Sequence, residues 1–280
     1  MIIANPLNTK KLRVKLHTYQ VSALNPSKGK VLFLHGFGGS SATYHMFLDE
    51  LAEDYDTYCF DWLGMGCSSK PDLAYIQMDA KQVISLFTEV LKCWLQETGL
   101  TNFHLVAHSL GAYISGFYLA SNSSGVLSFT TVSCAGATKE PADFQQTLKK
   151  LKLPMMRKAM MHFWTFMNKG YIKGYTAFSM MPLEWIISKW AHGRLGVEGD
   201  TYKKTVKFIS TMFWDKNYSS DIITRIFTYK AYAIIPVCEV MQQIESKMRV
   251  FHVYGDQDWL DKSAFASFLS ESSLELTKTN

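Results

Sequence analysis

Apolar and polar residues along the chain fall into two kinds of run. Leu12-Arg-Val-Lys-Leu-His-Thr-Tyr19 alternates, which predicts a half-exposed first strand. Val31–Leu34 is short and wholly apolar and predicts a buried strand; further strands are predicted over 55–60, 102–107, 127–132 and 248–254. Between them, 44–52, 79–97 and 111 to about 120 read as helices, the second with Val83, Leu86, Phe87, Val90, Leu91, Trp94 and Leu95 at helical spacing. Strands alternating with helices predict an α/β architecture, a mostly parallel sheet covered on both faces. Ligands in such sheets gather at the carboxyl ends of the strands. His35, Asp61, Ser109, Cys134 and Asp258 all follow such ends, so they are expected to share one rim. From Glu140 to about Glu245 the alternation stops. Faces such as Met156-x-x-x-Met160-x-x-Phe163-Trp164 and Ile222-x-x-x-Ile226-Phe227-x-x-x-Ala231 predict a helical insertion. The expected division is 1–139 for the first part of the core, 140–245 for a cap, and 246–280 for a short second part.

Composition narrows the picture. At 280 residues and 48% hydrophobic content, the chain can bury one substantial core. The stretch Thr98–Thr138 contains no Asp, Glu, Lys or Arg, but His104, His108, Asn122 and its serines and glycines mark it as a buried strand–helix–strand unit, not a membrane span. Five scattered cysteines without a C-x-x-C pair argue against a disulfide framework and a zinc site, and point to a reducing compartment. Residues 1–15 lack the apolar stretch of a secretory signal, so a cytoplasmic location is expected. No metal or cofactor site is expected.

The candidate chemistry lies in Phe103-His-Leu-Val-Ala-His108-Ser109-Leu110-Gly111, a strand, a sharp turn bearing Ser, and a helix. That sequence is the nucleophile elbow, usually G-x-S-x-G, with Ala107 at the first small position. Small residues on both sides let strand and helix approach closely enough to push the Ser into a strained turn. The strand ending at Leu34 runs into His35-Gly36-Phe37-Gly38-Gly39, whose glycines call for a tight turn or a close approach. Its backbone N–H at Phe37, with that of Leu110, is the expected oxyanion hole. His35, Gly36, Gly38 and His108 are expected to support that loop and elbow.

Four segments together resemble the α/β-hydrolase fold: His35–Gly39, Asp61-x-x-Gly64-x-Gly66-x-Ser68, the Ser109 elbow, and Tyr254-Gly-Asp-Gln-Asp-Trp-Leu-Asp261. The resemblance covers about 12–138 and 247–270. The second and fourth motifs are most similar to a lipid-handling subfamily of lysophosphatidic acid acyltransferases, N-acyl-phospholipid lipases and the coactivator of adipose triglyceride lipase. An acyl-transfer triad needs a nucleophile, a base and a carboxylate that holds the base's tautomer. Ser109 fits the first, and the resemblance places the acid at Asp258, with Asp256 and Asp261 as neighbours. No histidine among the eight follows Asp258, and the sequence runs 22 residues beyond it, so the fold's last strand and histidine loop are expected to be missing.

Residues 141–230 hold 15 Lys or Arg against 6 Asp or Glu, with eight Met and four Trp. Such a cap suits an apolar pocket and a surface facing anionic lipid. It equally suits a packed cap with solvated lysines. Nucleic acid is not expected, since the basic residues are interleaved with large aliphatics and no binding motif occurs. The resemblance implies a serine hydrolase or acyltransferase acting on a lipid acyl ester or lysophospholipid, peripheral to a membrane or lipid droplet. The missing histidine favours a rival, a catalytically silent relative that binds lipid or a partner lipase.

Overall fold

The computed structural model describes residues 1–4, 11–71, 73, 77–144, 182–192, 197–213, 221–228, 231–245, 248–255, 258 and 260. The Met156–Trp164 face, His162, Asp256 and Asp261 lie outside these residues. A six-stranded sheet organises the chain, in the order β3-β5-β4-β6-β7-β8: Thr18–Val21, Asp56–Phe60, Lys30–Leu34, Phe103–His108, Val126–Val132 and Arg249–Val253. Only β3 is antiparallel to its neighbour, and the other pairings are parallel. From β4 the chain passes to β5 on one side and then crosses to β6 on the other. The crevice at the carboxyl ends of β4 and β6 is therefore the topological switch point, where such sheets bind ligands. His35 and Ser109 stand there.

The sequence predicts one strand over Leu12–Tyr19, and the structure divides it. Lys11–Arg13 (β2) pairs with Ile2–Ala4 (β1) as a separate ribbon, and the main sheet begins at Thr18. The break has a tertiary cause. Lys15 N and His17 N donate to the hydroxyls of Ser69 and Ser68 at 2.8 and 3.0 Å, drawing the backbone out of strand pairing toward the loop after β5.

Helices cover the sheet. α1 (His45–Leu51) follows a 3₁₀ turn at Ser41–Tyr44. α2 (Ala80–Thr98) starts with a reciprocal Asp79–Gln82 capping box and ends at Gly99 with φ 63°. Its apolar stripe buries Val83, Phe87, Val90 and Trp94, with Trp94, Phe60 and Trp62 ring against ring at 4.9 and 5.0 Å. α3 (Leu110–Ser121) is apolar on nearly every side, and Ala112, Tyr113 and Leu119 are fully buried. That composition is what a helix packed on both flanks requires.

The described part of 140–245 contains α4 (Leu183–Ala191), α5 (Gly199–Phe213) and α6 (Ile222–Ile226), and α7 (Cys238–Glu245) leads back to β8. The face expected to continue from Ile222 to Ala231 stops at Ile226. Phe227 instead bridges Ala233 in extended backbone, and Ala231 takes φ 56°. The turn lets Phe227 bury against the Tyr113 ring, 4.8 Å between centroids. Among the described residues no helix is long and apolar enough to cross a membrane.

Candidate active site

Ser109 follows β6 directly and has φ 51° and ψ −113°, in a region a β-unbranched L residue occupies only at a cost of roughly 1–3 kcal/mol. The turn is held from three sides. Ser109 N donates to Val132 O at 3.0 Å, Tyr113 N returns to Ser109 O at 3.1 Å, and α3 starts at the next residue. Ser109 occupies the N-cap position without making a capping bond, so its hydroxyl is not spent on the helix it precedes. The first turn of α3 aims its backbone N–H groups and the positive end of its dipole at the same place. Close approach depends on Gly111, where a Cβ would lie 2.7 Å from both Leu34 O and His35 O.

The glycine loop closes over this turn. Gly39 N donates to Gly36 O at 3.1 Å, and Gly38 has φ 75°, the left-handed third residue that a type II turn requires. A Cβ on Gly36 would sit 2.9 Å from Ser109 Cβ and 2.7 Å from His108 Nδ1. The structure thus brings Gly36, and with it Phe37, beside Ser109 and Leu110, at one end of the sheet.

His35 holds this loop in place. It is fully buried, with Nδ1 donating to Gly36 O at 2.8 Å and Nε2 accepting from Trp62 N at 3.0 Å. The Trp62 indole N–H adds a bond to His35 O at 2.9 Å. Burial lowers the imidazole pKa, against the raising field of Asp61. A neutral ring with both nitrogens engaged is a strut, not a base.

His108 points its ring behind the loop. Its Nδ1 lies 2.9 Å from the Tyr44 hydroxyl, and burial, helped by His35 and opposed by Asp258, pushes its pKa down to about 4. Burial also raises the Tyr44 pKa, so the hydroxyl stays protonated and the bond engages His108 Nδ1. Tyr44 was not a candidate from the sequence, where it only begins a predicted helix.

Asp61 is a second strut. Its buried carboxylate accepts from Ser41 N at 2.7 Å and Cys67 N at 2.9 Å, with His17 Nδ1 at 3.3 Å. Gly66 has no Cβ to collide with that carboxylate. Asp258 stands just past the end of β8, with its N–H on Gly255 O and its Oδ1 accepting from Leu260 N at 3.1 Å. Its field reaches both His108 and Tyr254. Cys134 is buried beyond β7, its carbonyl bonded by the Tyr254 hydroxyl. The expected rim is therefore assembled from the ends of five strands.

Among the seven described histidines, none hydrogen-bonds Ser109. His104 bonds Ser128 Oγ and His252 bonds Thr131 Oγ1, each at 2.7 Å within the sheet, while His45 and His192 lie exposed. No cluster of metal-ligating side chains occurs among the described residues.

Residues 30–159 match the family described as alpha/beta hydrolase fold. A probable hydrolytic enzyme of Pseudomonas aeruginosa superposes with a TM-score of 0.62 at 16% identity, over 93% of this chain and 76% of that one. An epoxide hydrolase of Vigna radiata gives 0.60 at 14% identity, over 97% and 84%. The chain has the α/β-hydrolase fold.

The curated relatives carry names from lipid metabolism. A probable 1-acylglycerol-3-phosphate O-acyltransferase of Oryza sativa is 23% identical over 82% of this chain and 56% of its own length. The human 1-acylglycerol-3-phosphate O-acyltransferase ABHD5 is 32% identical over 37% of this chain and 29% of its own. A (lyso)-N-acylphosphatidylethanolamine lipase of Bos taurus is 27% identical over 47% and 38%. The chain spans 56% of the length of that plant relative.

Proposed function

We propose that this chain is a serine-nucleophile hydrolase or acyltransferase of lipid acyl esters, of the lysophospholipid or acylglycerol class. The observation that carries the reading is the strained Ser109 turn pressed against Gly36 at the head of α3. In this reading the Ser109 oxygen adds to the acyl carbonyl, the ester C–O bond breaks and the hydroxyl proton leaves with the departing alcohol; water or an acceptor alcohol then takes the acyl group and returns a proton to Ser109. The Phe37 and Leu110 N–H groups receive the developing oxyanion, which stabilises the transition state more than the ground state. Asp258 is the acid that would orient a base. The names of these relatives supply the substrate class. The cap from 140 to 245 would bound the acyl site, and an anionic membrane or droplet surface would present the substrate.

A second reading, a lipid- or lipase-binding relative without catalysis, is favoured by a specific observation. Of the described histidines at the elbow and the glycine loop, His35 uses both ring nitrogens and His108 has Nδ1 engaged by the Tyr44 hydroxyl. An unassisted Ser hydroxyl is a poor nucleophile at neutral pH.

A fluorophosphonate probe separates the two, because it reports an activated hydroxyl. The enzyme reading expects labelling and short-chain ester turnover that fall by roughly 10⁴-fold or more in Ser109→Ala. Turnover that survives Ser109→Ala would overturn the site. Absence of labelling, together with retained vesicle binding, would favour the binding protein.

A further inference from the structure

The α5 helix connects two things that the acyl-transfer reading leaves separate. Its inner end carries Phe213, whose ring meets Phe37 edge-on at 5.7 Å between centroids. A Cβ on Gly38 would lie 2.9 Å from Phe213 Cζ. Phe213 thus rests on the two residues that follow Gly36, and the bare Gly38 leaves room for the ring.

The opposite face of α5 is basic. Val206, Ile209 and Met212 are buried, whereas Lys203 and Lys207, one turn apart, are exposed. α4 packs beside α5, with the Tyr202 hydroxyl bonded to Ser188 O. α4 buries Leu183, Ile187 and Ala191 and exposes the opposite side, with Trp185 56% and Ile186 38% accessible and Lys189 one turn beyond Trp185. A Trp and an Ile held in water beside lysines fit a headgroup boundary. There the apolar side chains enter the acyl region and the ammonium groups meet phosphate. A polyanion without an apolar layer would leave Trp185 and Ile186 unrewarded.

We propose that the outer face of α4 and α5 docks on an anionic lipid surface, and that α5 relays docking to the oxyanion loop through Phe213. The loop's part in catalysis rests on the acyl-transfer reading; the docking face and the aromatic contact do not.

Amide hydrogen exchange on the full chain tests this with phosphatidylcholine vesicles, with and without phosphatidylserine. Anionic vesicles should slow exchange across 183–191 and 199–213. They should also shift exchange at 36–40 by roughly threefold or more, the scale of one aromatic contact. Pure phosphatidylcholine should do neither. The double substitution Lys203→Gln, Lys207→Gln should weaken adsorption roughly tenfold or more and abolish both responses. Phe213→Ala should keep α4–α5 protection but lose the loop response. If that variant does not fold, Phe213→Leu keeps most of the volume without the ring edge and should give a reduced loop response. A wild-type loop response in the Phe213 variants would overturn the relay. Equal protection by neutral vesicles, or none on α4 and α5, would overturn the docking face. Ser109 labelling is read separately, so a chain that never labels can still pass this test, and one that labels can fail it.

Discussion

At the residue scale, the buried polar groups of the rim work by holding backbone, and their neutrality has a consequence. His108 and His252 are buried with pKa values pushed down to about 4, and His35 is also lowered by burial. The unfolded imidazoles take up protons near the ordinary value of about 6.5. As pH falls from about 6.5 to about 4, the unfolded chain binds protons that the folded chain does not, so stability must fall with pH across that window. Above it, the groups contribute no slope. Each of the two at about 4 accounts for up to about 3 kcal/mol by the bottom of the window. Urea midpoints measured between pH 7.5 and 4.5 should decline accordingly, and His252→Asn should remove part of the slope. An unchanged slope would mean that His252 titrates in the folded protein as it does in water.

At the element scale, the elbow is a matter of how closely α3 approaches β4. Replacing Gly by Ala within a helix ordinarily gains up to about 1 kcal/mol. At Gly111 the new methyl would meet the Leu34 and His35 carbonyls at 2.7 Å, backbone atoms of a central strand and of the glycine loop. Gly111→Ala should therefore destabilise by roughly 2 kcal/mol or more in urea unfolding. Gly99→Ala meets no atom within 4 Å and pays only for its left-handed φ of 63°, about 1 kcal/mol. Equal costs at both sites would remove packing as the reason for Gly111.

These close approaches explain what the sequence makes legible. A strand, Ser109, Leu110 and Gly111 are contiguous, so their pattern carries the elbow. The Asp79 capping box and the apolar stripe of α2 are likewise local. Tyr44 and Phe213 act across 64 and 176 positions, on His108 and Phe37, and nothing in their own neighbourhoods marks them. The first strand and the helix after Ile222 were misjudged for the same reason. Distant Ser68 and Ser69 hydroxyls divert one, and the Tyr113–Gly136 pocket that takes Phe227 diverts the other.

At the scale of the whole molecule, the open question is whether the segment returning from the cap folds with the sheet or as a separate unit. It packs on α3 and, through α6, on α2. Phe227 is 1% exposed and lies against Tyr113, and Gly136, at φ 68°, has no Cβ to displace either ring. The Tyr113 hydroxyl donates to Ile235 O at 2.8 Å, and Val237 crowds Gly116 on the next turn of the same helix. Apolar burial on these two core helices should make the two parts unfold together. Phe227→Ala leaves a buried void beneath that contact and should cost roughly 3–5 kcal/mol. If cap and core are one cooperative unit, the urea midpoint should fall while the slope m stays at its wild-type value, because the surface exposed on unfolding is the same. A reduced m in the variant would show that the 222–245 segment has come away from a core that still unfolds on its own. Among the described residues, the coupling of 182–213 to the sheet would then rest on α5 and Phe213.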